Sequence, residues 1–166
     1  MIPFLPTPDG ILVTLDPDDL DFLKQIPQFL DLVGDPDNDP AAARLQVPVY
    51  LDDPEASEEW WRLMSGELHQ SRTADRSAFA LVLDAAAEGT TASPAEAEAF
   101  LRVLNEARLA LAARLSVEVE EDYEHLTSED RGALDYLASL EEFLLAALWG
   151  GEVPEVDPDS GQSFDG

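Results

Sequence analysis

The chain has 166 residues, with 36 acids against 9 Lys or Arg and no Cys, for a formal net charge of -27. That length and a 45% hydrophobic content fit one folded domain with its own core, since a disordered acidic chain is poorer in apolar residues. The charge argues against unaided contact with nucleic-acid backbones or anionic membranes, and the lack of Cys removes disulfides, thiol catalysis, Fe–S clusters and Cys-ligated zinc.

The first residues, Met1-Ile-Pro-Phe-Leu-Pro, have no basic n-region and no apolar stretch of useful length. The longest apolar run, residues 143–149, is too short for a bilayer, so no membrane contact and a cytoplasmic location are expected. Pro8-Asp9-Gly10 is turn chemistry and Ile11-Leu12-Val13-Thr14-Leu15 is β-rich, which predicts an extended segment or a hairpin. Asp16 is an N-cap, with Pro17 at the first helical position and Asp18 and Asp19 in the first turn. Leu20, Leu23, Ile26, Leu30 and Val33 recur at helical spacing; Pro27 should kink or split this helix near Ile26, and Gly34 should close it. Asp39-Pro40 opens a short helix through Leu45, and residues 47–51 read as extended around Pro48.

Asp53-Pro54-Glu55 starts a long helix running to about Ala87. Trp60, Leu63, Met64 and Leu68 are expected to line the core in its first half, and Phe79, Val82, Leu83 and Ala86 in its second. The polar middle and Gly66 predict a break near Gly66 or Ser71. Ser93-Pro94-Ala95-Glu96 is a capping box. The helix it opens runs to about Leu115, with a stripe of Ala97, Leu101, Leu104, Arg108, Leu111 and Leu115. Thr127 opens the last helix, whose stripe is Leu134, Leu137, Leu140, Leu144 and Leu148, ending at Gly150. The expected fold is all-α, a helical bundle of about four main helices plus a short one, with room for a small N-terminal β-hairpin packed on it. Residues 1–150 read as a single helical domain, and 151–166, with five acids and no base, as an acidic disordered tail.

Candidate chemistry is sparse. His69 and His125 are preceded three residues back by Gly66 and Asp122, so no Glu-x-x-His metal pair exists, and neither metal nor cofactor is expected. The acidic run Glu118, Glu120, Glu121, Asp122 and Glu124 lacks EF-hand spacing and reads as a solvated loop. No phosphate loop, nucleophile elbow or HExxH occurs, which predicts a non-enzyme with no catalytic residue.

Arg108 is the most informative residue, because it falls on an apolar stripe where a guanidinium needs a carboxylate partner. With Asn105 on the same face it reads either as a ligand anchor or, preferably, as a register device bonding Asp52, Asp53 or a backbone carbonyl. Arg44, Arg62 and Arg114 are expected to be paired too, and Glu58–Arg62 and Glu98–Arg102 are i,i+4 pairs. Trp60 and Trp61 project about 100° apart on one helix. The preferred reading places both in the core or at its boundary; the alternative places one in the core and leaves the other partly exposed to mark an interface.

Arg44-Leu45, Pro48, Tyr50, Asp52-Asp53 and Glu55-Ala56, running into Trp60, Arg62-Leu63, Glu67-Leu68 and Arg72, form one ordered set of motifs. Leu104-Asn105-Glu106-Ala107-Arg108-Leu109, continuing to Ala113-Arg114-Leu115, forms a second, and Tyr136-Leu137 with Leu140-Glu141 a third. Over about residues 15–149 the chain thereby resembles an uncharacterised bacterial domain-of-unknown-function family, common in actinobacteria and often encoded beside the Clp-protease adaptor ClpS. Val49 stands where the family usually has Ala, and Ala112 where it usually has Gly. One branch includes the oxidative-stress regulator AosR, proposed to sense oxidants through paired cysteines, chemistry this Cys-free chain does not carry. The resemblance implies a polar cluster of Arg44, Tyr50, Asp52, Asp53, Asn105 and Arg108 that holds residues 44–53 on the bundle. The functional expectation is a non-enzymatic regulatory or adaptor protein that meets a basic or mixed-charge protein partner, with a homodimer through an exposed Trp and Leu stripe also in view. The alternatives are a small-molecule-binding or enzymatic bundle using Arg108, Asn105 and nearby carboxylates, and an acidic mimic of nucleic acid.

Overall fold

Alternation of buried and open side chains marks the first two strands. In the computed structural model, which describes residues 2–46 and 50–150, β1 (Phe4–Thr7) buries Phe4, and β2 (Gly10–Val13) buries Ile11 and Val13. This is the period of a sheet with one covered face. The strands form an antiparallel hairpin with Phe4 opposite Val13 and Thr7 opposite Gly10. A third strand, β3 (Thr90–Ala92), pairs antiparallel with β2, Ile11 opposite Ala92, so β2 is central. The expected hairpin is thus present, and β3 extends it to a three-stranded sheet on the bundle. Gly10 has φ +149°, and a Cβ there would stand 2.1 Å from the Ala92 carbonyl oxygen. Only glycine lets β3 approach at this turn.

The helices begin where the caps predict. Asp16 accepts from the Asp19 amide at 2.9 Å and opens α1 (Pro17–Leu23). The chain breaks at Lys24 and Gln25 and resumes as α2 (Ile26–Asp31) with Pro27 in its first turn, where a missing N–H costs nothing. α2 ends at Asp31, so the stop comes before Gly34, whose N–H instead donates to Asp39. Asp39 caps α3 (Pro40–Leu45), and Asp53 caps α4 (Pro54–Ala86), an unbroken helix of 33 residues. The reciprocal Ser93–Glu96 capping box opens α5 (Pro94–Arg114). Thr127 caps α6 (Ser128–Trp149), closed by left-handed Gly150. Residues 118–124 are not an open loop. Asp122 accepts from the Glu118 and Val119 amides and pins a 3₁₀ helix (Glu120–His125), and those two N–H donors hold its carboxyl below the usual range.

The core gathers around α5. Its buried row is Ala97, Phe100, Val103, Leu104, Ala107 and Ala110. Of the predicted stripe, Ala97 and Leu104 are buried in this row, while Leu101, Arg108, Leu111 and Leu115 lie at its half-buried margin. Small Ala residues share the inward face with Phe and Leu, and spacing arguments based on large side chains shifted the stripe by about one residue. Phe100 stacks on Phe79 of α4 at 4.4 Å between centroids and meets Phe4 of β1 edge-on at 5.8 Å. α6 closes the far side with Leu134, Leu137, Leu140 and Leu144.

The first half of α4 departs from expectation. Phe79, Val82, Leu83 and Ala86 are buried as predicted, but residues 54–71 bury only Ser57. Leu63 is 67% exposed, and Trp60, Met64 and Leu68 are half-buried at most. At 1.5 Å per residue α4 is about 50 Å long, and roughly half of it lies beyond the bundle core. Of the expected extended stretch 47–51, residues 47–49 lie outside the described residues, as does the tail reading of 151–166, while Tyr50 and Leu51 form a bend and turn leading into the Asp53 cap and are not extended.

Candidate functional site

Among the described residues the side chains of seven arginines have partners, six of them on another element, and the sequence paired few of them correctly. Arg108 does not reach Asp52 or Asp53. Its Nε lies 2.9 Å from Oε2 of Glu141, a buried carboxylate on α6, and its Nη2 donates to Asn105 at 3.3 Å. Glu141 Oε1 has no hydrogen-bond partner, and Arg108 Nε is not aligned to donate. Burial pushes the Glu141 carboxyl above its ordinary value, and Arg108 only partly offsets this. Nearby, burial and then Asp19 and Asp16 push the Tyr136 phenol up, while its ring stands edge-on to Phe22 at 5.2 Å. Sequence spacing held the missing signal: Leu134, Leu137, Glu141 and Leu144 share one helical row, so an in-stripe acid faces an in-stripe Arg.

Arg102 pairs with Asp75 of α4 through two 2.9 Å contacts, not with Glu98 as its main partner; Asp75 is what raises its pKa first. Arg62 pairs with Glu59 rather than Glu58. Arg114 donates to Asp39 at 2.8 Å and to the Leu32 carbonyl at 3.2 Å, and lies over the Phe29 ring at 4.9 Å. The Arg114 guanidinium first, then the Gly34 N–H, hold the Asp39 carboxyl far below the usual range. Arg131 donates to the Tyr123 carbonyl and so holds the 3₁₀ helix against α6.

The remaining residues of the expected polar cluster lie elsewhere. Asp53 is an N-cap, and Asp52 is exposed beside it. The Tyr50 amide donates to Ser57 Oγ at 2.9 Å, Ser57 donates back to the Tyr50 carbonyl, and the Tyr50 side chain is exposed. Arg44 is exposed in the last turn of α3. The structure thus brings Asn105 and Arg108 together with Glu141, and Tyr50 and Asp53 together around the start of α4. Trp60 and Trp61 are both half-buried and touch edge to face at 5.0 Å, so neither sits in the core.

Two features combine accessibility with distinctive chemistry. One is the protruding half of α4, where Leu63 and the Trp pair lie among Glu55, Glu58, Glu59 and Glu67. The other is a cleft of about 400 Å³ between α4 and the α2–α3 segment. Trp61, Leu68, Leu30 and Leu45 contribute apolar lining, with Arg72 and Arg76 as its cations. Arg76 pairs with Glu106 at 2.5 Å and Asp31 at 3.1 Å, while Arg72 reaches Glu106 only at 3.5 Å and the Leu45 carbonyl at 3.3 Å. The lining of this cleft includes neither Arg108 nor Asn105. Among the described residues, no group of three or more His, Asp or Glu is placed to hold a metal ion, and no helix is long and apolar enough to cross a membrane.

Comparison with known proteins finds one family. The model of a domain of unknown function, DUF2017, matches residues 1–148. No curated protein and no solved structure matches the chain.

Proposed function

We propose, from the premise that this chain belongs to the DUF2017 family of unknown function, that it is a non-enzymatic regulatory or adaptor protein that binds a basic protein partner along the protruding half of α4. The observation that carries this reading is the burial of residues 54–71, where Ser57 alone is buried while Trp60, Trp61, Leu63, Met64 and Leu68 are open or half-open. A helix whose aromatic and aliphatic anchors are only partly covered by the described residues has the composition of an interface. Its charge selects the partner. Four Glu against Arg62 on this segment, within a chain of net charge -27, repel a second copy and favour a Lys- or Arg-bearing surface with an apolar stripe.

That one branch of the family this chain resembles includes a regulator, AosR, supports a regulatory role, reached here without cysteine chemistry. A cytoplasmic location fits such a role. The Arg108–Asn105 pair supports structure rather than ligand capture, since Arg108 is engaged by Glu141.

Pull-downs from cell lysate with the wild-type chain and a Trp60→Ala/Leu63→Glu variant test the reading. The variant keeps the fold, because both positions lie outside the core. The wild type is expected to recover basic proteins that the variant loses, and recovery falls with salt. Identical recoveries by the two proteins would refute it. Light scattering at two concentrations separates a heterologous partner from self-association, and the charge predicts a monomer.

A further inference from the structure

We propose that the cleft between α4 and the α2–α3 segment binds a small organic monocarboxylate with an apolar or aromatic body. The site shares Trp61 and Leu68 with the flank of the proposed partner surface, but its cations, Arg72 and Arg76, lie outside residues 54–71, so a loss on Arg72→Gln is distinguishable from a loss on Trp60→Ala/Leu63→Glu.

The volume of about 400 Å³ falls within the roughly 300–1,000 Å³ that small-molecule sites occupy. Apolar lining from Leu30, Leu45, Leu68 and Trp61 surrounds a short cationic row, Arg72 and Arg76, one turn apart on α4. The row is incompletely neutralised. Glu106 is committed to Arg76 at 2.5 Å and is a further ångström from Arg72, at 3.5 Å. Asp31, the other acid on Arg76, has a side chain 70% exposed, so water screens its charge. Arg76 Nε is buried with no hydrogen-bond partner. Arg72 keeps 35% of its side chain open, and its contacts at 3.3 and 3.5 Å are long for a guanidinium. Such a group presents a planar fork that a carboxylate matches with two parallel hydrogen bonds.

The charge of the whole molecule sets the ligand class. A net charge of -27 repels multiply charged anions most, so phosphate and polyphosphates are disfavoured against a single carboxylate. The apolar lining gives the remainder of the ligand a place to leave water. Such a ligand would bridge α4 to the body, since its carboxylate meets Arg72 while its apolar end meets Leu30 and Leu45.

Calorimetric titration of the full chain with 3-phenylpropionate, its neutral amide and inorganic phosphate tests the proposal. Saturable binding of the carboxylate is expected, at least tenfold tighter than either control. Arg72→Gln should weaken it at least tenfold with an unchanged circular dichroism spectrum. Leu68→Glu, a like charge placed on the cleft wall at a half-buried position, should abolish it and serves as a second variant if Arg72→Gln does not fold. Nitrogen-15 spectra should show the Arg72 Nε–H resonance moving on titration. Lack of saturation of the wild type at concentrations on the order of 10 mM, equal binding of the amide, or full affinity in both variants would overturn it.

Discussion

Glu141 and Arg108 form a pair whose cost and benefit nearly cancel. Removing a carboxylate from water costs several kcal/mol, and one guanidinium with an unaligned Nε returns only part of it. Breaking such a pair costs about 3–5 kcal/mol when both groups are deeply buried. The Arg108 side chain is 38% exposed, which lowers the expected loss in Arg108→Met to about 2 kcal/mol near neutral pH. The sign of the pH dependence follows from the raised Glu141 pKa. Folding favours the protonated acid, so the penalty is present above the folded pKa and absent below the ordinary carboxylate range. Deleting Arg108 raises that pKa further. The deficit of Arg108→Met against wild type should therefore shrink as pH falls toward about 4, which urea unfolding at two pH values will show. Asp39 runs the other way: its depressed carboxyl stabilises above the ordinary range, and that stability is lost as pH falls, equally in both proteins. Spacing alone singled out Arg108, because an Arg among Leu residues is visible in one dimension. Its partner lay on another helix, where only the packing of α5 on α6 makes the match.

Helix starts were legible because capping is local. Asp16, Asp39, Asp53, Ser93 and Thr127 each act within three residues of themselves, and each cap is present. Coverage of a helix face is not local. Periodicity identified the apolar side of residues 54–71 but not whether another element lies against it, and β3 was invisible because Thr-Thr-Ala carries no alternation. Among the described residues the exposed half of α4 consequently has little tertiary support. Gly66 sits within it, and a Cβ there meets nothing within 4 Å. Gly66→Ala should strengthen this stretch by about 0.5–1 kcal/mol. Amide exchange will slow across residues 54–71, while the global unfolding midpoint scarcely moves, because the stretch opens independently of the core. A midpoint that rises by the full amount would show instead that the two halves of α4 unfold together.

At the scale of the molecule, a -27 body repels itself, while its principal ion pairs, Arg76–Glu106 and Arg108–Glu141, are half-buried and screened weakly. Added salt should raise the thermal midpoint by several degrees between about 20 and 500 mM NaCl, as scanning calorimetry will measure. A falling midpoint would give the exposed pairs the larger share. The sheet has a consequence for the order of assembly. Val13 waits for Thr90 and Ile11 for Ala92, and the Phe4 ring is completed by Phe100. During synthesis the β1–β2 hairpin thus leaves the ribosome before β3, with an open edge that stays open until the turn after α4 has been made. About eighty residues separate β2 from the strand that covers its edge, and the interval in which they are made is when the hairpin is most exposed to mispairing.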